Sequence, residues 1–117
     1  MKIIIAGGRD FNDYELLKEK CDKIVSGLTS VEIVSGMARG ADALGVRYAK
    51  ERDFVYHPFP ADWNTQGKRA GMLRNIDMAK FSDGLIAFWD GKSKGTKHMI
   101  ETAEEMGLKI RTVIYNI

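Results

Sequence analysis

Cysteine occurs once and histidine twice in this chain of 117 residues. The lone Cys21 excludes an internal disulfide and any site built on several thiolates, and it points to a reducing compartment. With only His57 and His98 to add, no metal site is expected. A surplus of one charge is also missing. Lys plus Arg number 18 against 16 Asp plus Glu, and a net charge of +2 is too small to mark a general nucleic-acid or membrane-surface binder. Long hydrophobic runs are absent as well. Met1-Lys2 leads into Ile3-Ile4-Ile5 and then glycines, too short for a signal peptide or a membrane span, so a cytoplasmic protein with no membrane partner is expected. The length fits one domain over residues 1–117, and 44% hydrophobic with 29% charged residues is the composition of a chain with one core.

Several catalytic signatures are missing too. The first glycine turn reads Gly7-Gly8-Arg9-Asp10-Phe11, so the GxGxxG of dinucleotide dehydrogenases is not there. Gly91-Lys92-Ser93 imitates the end of a Walker A loop, but Ile86 stands where the loop requires its first glycine. Ser35 has no glycine two residues before it, which excludes a nucleophile elbow, and no HExxH occurs.

What is present is a regular alternation. Short apolar segments at Ile3 to Ala6, Val31 to Val34, Phe54 to Tyr56, Leu85 to Trp89 and Ile110 to Ile114 read as strands, mostly continuous as in a parallel sheet buried on both faces. Between the first two, Tyr14, Leu17, Cys21, Ile24, Val25 and Leu28 recur at three- and four-residue spacings opposite a charged face, a helix capped by Asn12 or Asp13. Further helices are expected from about Ala41 to Arg52, Gly67 to Phe81 and Thr96 to Met106, the last stopped by Gly107. The order βαβαβαβαβ implies parallel strands, right-handed crossovers and a three-layer α/β domain of Rossmann-like type. The pattern fits both strand order 3-2-1-4-5 and order 2-1-3-4-5.

Glycines and cations fall together at three strand-to-helix turns. Gly7-Gly8-Arg9-Asp10 follows strand 1, Ser35-Gly36-Met37-Ala38-Arg39-Gly40-Ala41-Asp42 follows strand 2, and Asp90-Gly91-Lys92-Ser93-Lys94-Gly95-Thr96 follows strand 4. All three lie on the carboxyl edge, where open α/β sheets bind ligands. Glycine admits close approach of backbone N–H groups to an anion, helix N-termini add positive potential, and Arg9, Arg39, Lys92 and Lys94 add full charges. Tight turns need glycine in any such fold, but three on one edge favour a phosphate-bearing ligand.

Taken with Arg74-Asn75, these turns resemble the SLOG superfamily, which joins the DNA-processing protein of bacterial transformation to the cytokinin-activating phosphoribohydrolases. The likeness is greatest to its small single-domain YspA and YpsA-related branch. Ile5-Ala6-Gly7-Gly8-Arg9-Asp10-Phe11 is similar to that branch's opening, Val34 to Asp42 to the segment shared with the DNA-processing protein, and Arg69-Ala70-Gly71-Met72-Leu73-Arg74-Asn75 to the branch's third-helix motif. The resemblance implies strand order 3-2-1-4-5, self-association as a homodimer or higher homo-oligomer, and a pocket for nucleotides or nucleotide-derived molecules. Gly91 to Thr96 takes the place of the hydrolases' PGGxGT phosphate loop, of which the Gly95-Thr96 end survives. Arg74 falls where those hydrolases carry a catalytic arginine. Their two glutamates after the Gly-Thr are replaced here by His98 and Met99, which argues against N-glycosidic hydrolysis by their mechanism.

The candidate ligand-binding set is therefore Gly7, Gly8, Arg9 and Asp10 from the first turn and Ser35, Gly36, Arg39, Gly40 and Asp42 from the second. To these are added Arg74 and Asn75 from the third helix and Asp90, Lys94, Gly95 and Thr96 from the turn after strand 4. No catalytic residue is assigned. Asp42 and Thr96 suit helix caps as well as ligand contacts. Trp63, in the long connection His57 to Gln66, suits either a base or an interface. His57 and His98 read as ordinary surface or strand-end residues, and Met72, Met78, Met99 and Met106 as core or subunit contacts. Three functions remain open: binding or sensing of a nucleotide-derived ligand, hydrolysis or transfer at a nucleotide's N-glycosidic or phosphate bond with Asp10 or Asp42 as acid or base, and single-stranded nucleic-acid binding through Lys68, Arg69, Arg74 and Trp63.

Overall fold

A computed structural model describes residues 1–116; Ile117, the last residue of the expected domain, lies outside them. Five parallel strands form one sheet in the order β3-β2-β1-β4-β5, which decides between the two orders that the alternation allowed. They are β1 (Lys2–Gly7), β2 (Glu32–Ser35), β3 (Tyr56–Pro58), β4 (Gly84–Trp89) and β5 (Lys109–Ile114), with β1 central and in register from Ile3–Gly84 to Gly7–Phe88 against β4. Its apolar run serves both faces. Ile3 and Ile5 pack with Leu17, Cys21, Tyr48 and Phe88 on one side, and Ile4 packs with Val34, Met78, Leu85 and Met99 on the other. Each such side chain contributes about 1.5–3 kcal/mol by leaving water. The switch point falls between β1 and β4, where successive crossovers part to opposite faces.

Helix α1 (Tyr14–Val25) is capped by Asp13, whose carboxylate accepts the Leu16 N–H at 3.1 Å. Helix α2 (Ala41–Glu51) starts where expected. The expected third helix is instead broken into α3 (Trp63–Gln66), a 3-10 turn at Gly67–Arg69 and α4 (Ala70–Phe81). The cause is Gly67, whose φ of 60° takes the chain out of helical geometry. Helix α5 (Lys94–Glu105) begins two residues before Thr96 because Ser93 is its cap. Strand β3 also lies two residues later than Phe54 to Tyr56. Phe54 turns to meet Tyr48 edge-on, and Pro58 is accepted because β3 is an edge strand. Among the described residues no helix is long and apolar enough to cross a membrane.

Candidate ligand site

The first two turns are pressed together. Gly8 donates its N–H to the Phe88 carbonyl at 3.1 Å, and its own carbonyl accepts the N–H groups of Phe11 at 3.3 Å and Ala41 at 3.1 Å. Helix α2 is thereby anchored on the first turn. Gly40, with φ 77°, makes this possible, since a Cβ there would collide with the Gly8 carbonyl and the Arg9 backbone. Ser35 is fully buried and holds the second turn from within. Its Oγ accepts the Met37 N–H at 3.1 Å and donates to the Asp42 carbonyl at 3.2 Å. Met37 itself sits at φ 63°, a backbone conformation that side chains rarely adopt.

Asp42 lies beneath this turn, 6% exposed, where its Oδ2 accepts the Ala38 N–H at 3.3 Å. Burial pushes its carboxyl up to about 6, against the opposing pull of Arg74, Arg9 and the N–H groups of Ala38 and Gly7. It is not the cap of α2, a position held by Gly40 with no side-chain hydrogen bond. Gly36 is the point where Asp42 and Arg74 converge. A Cβ on it would lie 2.8 Å from Asp42 Oδ2 and 2.5 Å from Arg74 Nη1.

Arg74 reaches across from α4. Its Nη1 donates to the Gly36 carbonyl at 2.6 Å and its Nε to Asn75 Oδ1 at 3.0 Å. Burial lowers its pKa, opposed by the Asp42 charge. The Asn75 amide nitrogen lies 3.4 Å from the Gly95 carbonyl and 3.1 Å from His98 Nδ1, so Asn75 joins α4 to α5. Because the Arg74 Nε can only donate, the Asn75 oxygen faces it and the Asn75 nitrogen donates to His98. His98 therefore carries its proton on Nε2, toward Thr102 Oγ1 at 3.4 Å.

The turn after β4 is organised by Asp90, whose Oδ1 accepts the N–H groups of Lys92 and Ser93, both at 2.8 Å, holding its carboxyl below the usual carboxylate range. Ser93 then caps α5 by accepting the Thr96 N–H at 3.5 Å. The N–H groups of Lys94 and Gly95 have no acceptor within the helix, and no acidic residue stands in its first turn.

Between these elements, at the carboxyl ends of the strands, lies a cleft of about 620 Å³. Its wall includes Gly7, Gly8, Arg9, Asp10, Arg39 and Asp42 from the first two turns. Arg74, Asn75, Asp90, Lys94, Gly95 and Thr96 complete the share foreseen from the sequence. Gly36 borders a smaller hollow of about 140 Å³ that shares Arg9, Arg74 and Trp63 with the cleft. Ser35 and Gly40 reach neither, and they shape the turn instead. Five cations line the cleft, Arg9, Arg39, Lys68, Arg74 and Lys94, within the 300–1,000 Å³ range of small-molecule sites.

Trp63 is half exposed on the wall, its ring edge 3.4 Å from where a Gly71 Cβ would stand. His98, Gly71, Met72, Met78, Met99 and Ser93 also line the cleft without having been placed there from the sequence. Gly71, Asn75 and Met78 share a face of α4 at helical spacing, a pattern that apolar periodicity alone assigns to the core. Met78 and Met99 are indeed buried beneath the cleft floor, whereas Met72 is 53% exposed.

The model of the YspA, cpYpsA-related SLOG family matches residues 1–65, which carry the first two turns and end at the start of the Trp63 helix. Over 119 aligned residues the chain is 34% identical to the Gene 61 protein of Mycobacterium phage D29, covering 93% of each protein. No solved structure matches it. By a family match over more than half its length and a relative aligned over 93% of the chain, the chain belongs to the YspA, cpYpsA-related SLOG family.

Proposed function

We propose that the cleft binds a nucleotide or nucleotide-derived molecule through its phosphate. The observation that carries this reading is Arg74. Two of its guanidinium nitrogens are fixed by Gly36 and Asn75, while Nη2 makes no hydrogen bond among the described residues. A guanidinium oriented by its own protein and left with a free donor is arranged for an anion. The open N–H groups of Lys94 and Gly95 supply a second anchor at a helix N-terminus, and Arg9, Arg39 and Lys68 add attraction.

Thermal unfolding with and without nucleotides tests this. A nucleotide at 100 times its dissociation constant should stabilise the protein by about 2.7 kcal/mol, and the matching nucleoside far less. Arg74→Ala should weaken nucleotide binding by about 1.5–3 kcal/mol, and Arg74→Lys should recover part of the loss. No shift with any nucleotide at millimolar concentration would sink the reading. Self-association fits the same surface, because half-exposed Trp63 and Met72 flank the cleft mouth and a partner covering them would enclose the ligand. Light scattering that returns a monomer at micromolar concentration would contradict it.

A further inference from the structure

Among the described residues three carboxylates interrupt the cationic wall of the cleft, and they are not equivalent. Asp90 spends one oxygen on two backbone N–H groups, and Asp42 is buried with its Oδ2 on the Ala38 N–H. Asp10 is exposed. Its Oδ1 accepts the Tyr115 hydroxyl at 3.0 Å, and its Oδ2 has no partner among the described residues. Tyr115 comes from the other end of the chain, just past β5, to make this contact. Its N–H donates to the Trp89 carbonyl at 3.0 Å, its ring packs edge-on against Phe11 with centroids 4.7 Å apart, and its hydroxyl fills the space where Gly8 lacks a side chain. Burial and the Asp10 charge push the Tyr115 hydroxyl up to about 12, so it stays a donor through the neutral range.

An ionised carboxylate only accepts hydrogen bonds, and facing a phosphate it repels. The part of a ligand that meets Asp10 must therefore bring a donor. The Gly8 and Tyr115 backbone bonds to Phe88 and Trp89 set Asp10 beside the end of β4, next to the turn that opens α5. The group adjoining a phosphate in a nucleotide is the sugar.

Resting on the nucleotide reading above, we propose that Asp10, positioned by Tyr115, accepts hydrogen bonds from the ribose hydroxyls and makes the site select ribonucleotides over deoxyribonucleotides. Asp10 is the contacting residue, and Tyr115 acts through it by fixing one carboxylate oxygen and turning the other to the ligand. A bound ligand displaces water from this carboxylate, and a deoxyribose would bring no donor in its place, the situation in which polar sites discriminate.

The test is titration calorimetry of the full chain with ADP, GDP, UDP and CDP and with their 2′-deoxy and 3′-deoxy counterparts. At least one ribonucleotide should bind about tenfold or more tightly than one of its deoxy forms. Asp10→Asn should reduce that ratio, and Tyr115→Phe, which keeps the ring on Phe11, should reduce it as well. If ribose and deoxyribose forms bind equally, the sugar assignment fails while the nucleotide reading stands. If none of them binds, both fail. If Tyr115→Phe weakens all nucleotides by one common factor, Tyr115 only supports the fold and the positioning role is overturned. A loss in Asp10→Asn confined to bases that carry an amino group, with the sugar indifferent, gives Asp10 to the base and overturns the assignment.

Discussion

Helices α2 and α5 both begin at glycine-containing turns on the same edge of the sheet, yet their N-termini are finished in opposite ways. At α2 an acidic residue of the protein's own, the buried Asp42, stands in the first turn and binds the Ala38 N–H of the turn before it, and the Ala41 N–H goes to the Gly8 carbonyl. At α5 the cap is a neutral serine, no acid follows it, and two N–H groups stay without helical acceptors beside Lys94. A glycine turn at a helix start is therefore not in itself an anion site. What matters is whether an acidic side chain of the protein's own already stands in the first turn.

The comparison can be broken most severely at Gly40. Gly40→Ala forces a side chain into the left-handed region and drives its Cβ against the Gly8 carbonyl and the Arg9 backbone. Left-handed strain of about 1–2 kcal/mol and overpacking of about 1–3 kcal/mol together predict a loss of about 4 kcal/mol, read from the urea unfolding midpoint. An unchanged midpoint would mean that the two turns do not interlock.

Asp42 sharpens the contrast through pH. Its folded carboxyl is raised from 3.8 to about 6, so the folded state binds this proton more tightly than the unfolded chain does. The resulting stability is complete below the unfolded value and is lost as pH rises through about 6. Two units correspond to about 3 kcal/mol at most. Asp42→Asn keeps an acceptor for the Ala38 N–H and should remove that slope between pH 4 and 7. An identical pH dependence in the two proteins would show that Asp42 does not titrate in this way.

The smallest effect belongs to the open turn. A Cβ on Gly95 would meet nothing within 4 Å among the described residues, and the position is helical. Gly95→Ala should stabilise the protein by about 0.5–1 kcal/mol in the same urea experiment, without changing nucleotide affinity, because the N–H is retained. A loss of affinity would show that the ligand approaches Gly95 closer than a methyl group permits.

The sequence made most of the architecture legible, because its strands and helices have clear periods. Boundaries were less legible where one residue overrides the pattern, as Gly67 does by splitting the expected third helix and Ser93 does by capping α5 ahead of Thr96. In the site, twelve of the fifteen residues read from the turns and the third helix line the cleft. Thr96 is among them, but its N–H is taken by Ser93, so the donors left open are those of Lys94 and Gly95. His98 looked ordinary as an isolated histidine. Only its contact with Asn75 ties it to Arg74.

By itself, then, the sequence determined the α/β class, the edge of the sheet that carries the glycines and cations, and the turns that serve as candidates. These are local properties: periodicity, turn chemistry and charge spacing act within a few residues of one another. The tertiary structure alone decided that the start of α2 is seated on the Gly8 carbonyl, that Arg74 meets Gly36 above a buried Asp42, and that Tyr115 holds Asp10 from 105 residues away. Such pairings depend on the order of strands in the sheet and on which side chain reaches a donor first. No window of neighbouring residues contains that information, because the partners become neighbours only when the chain is folded.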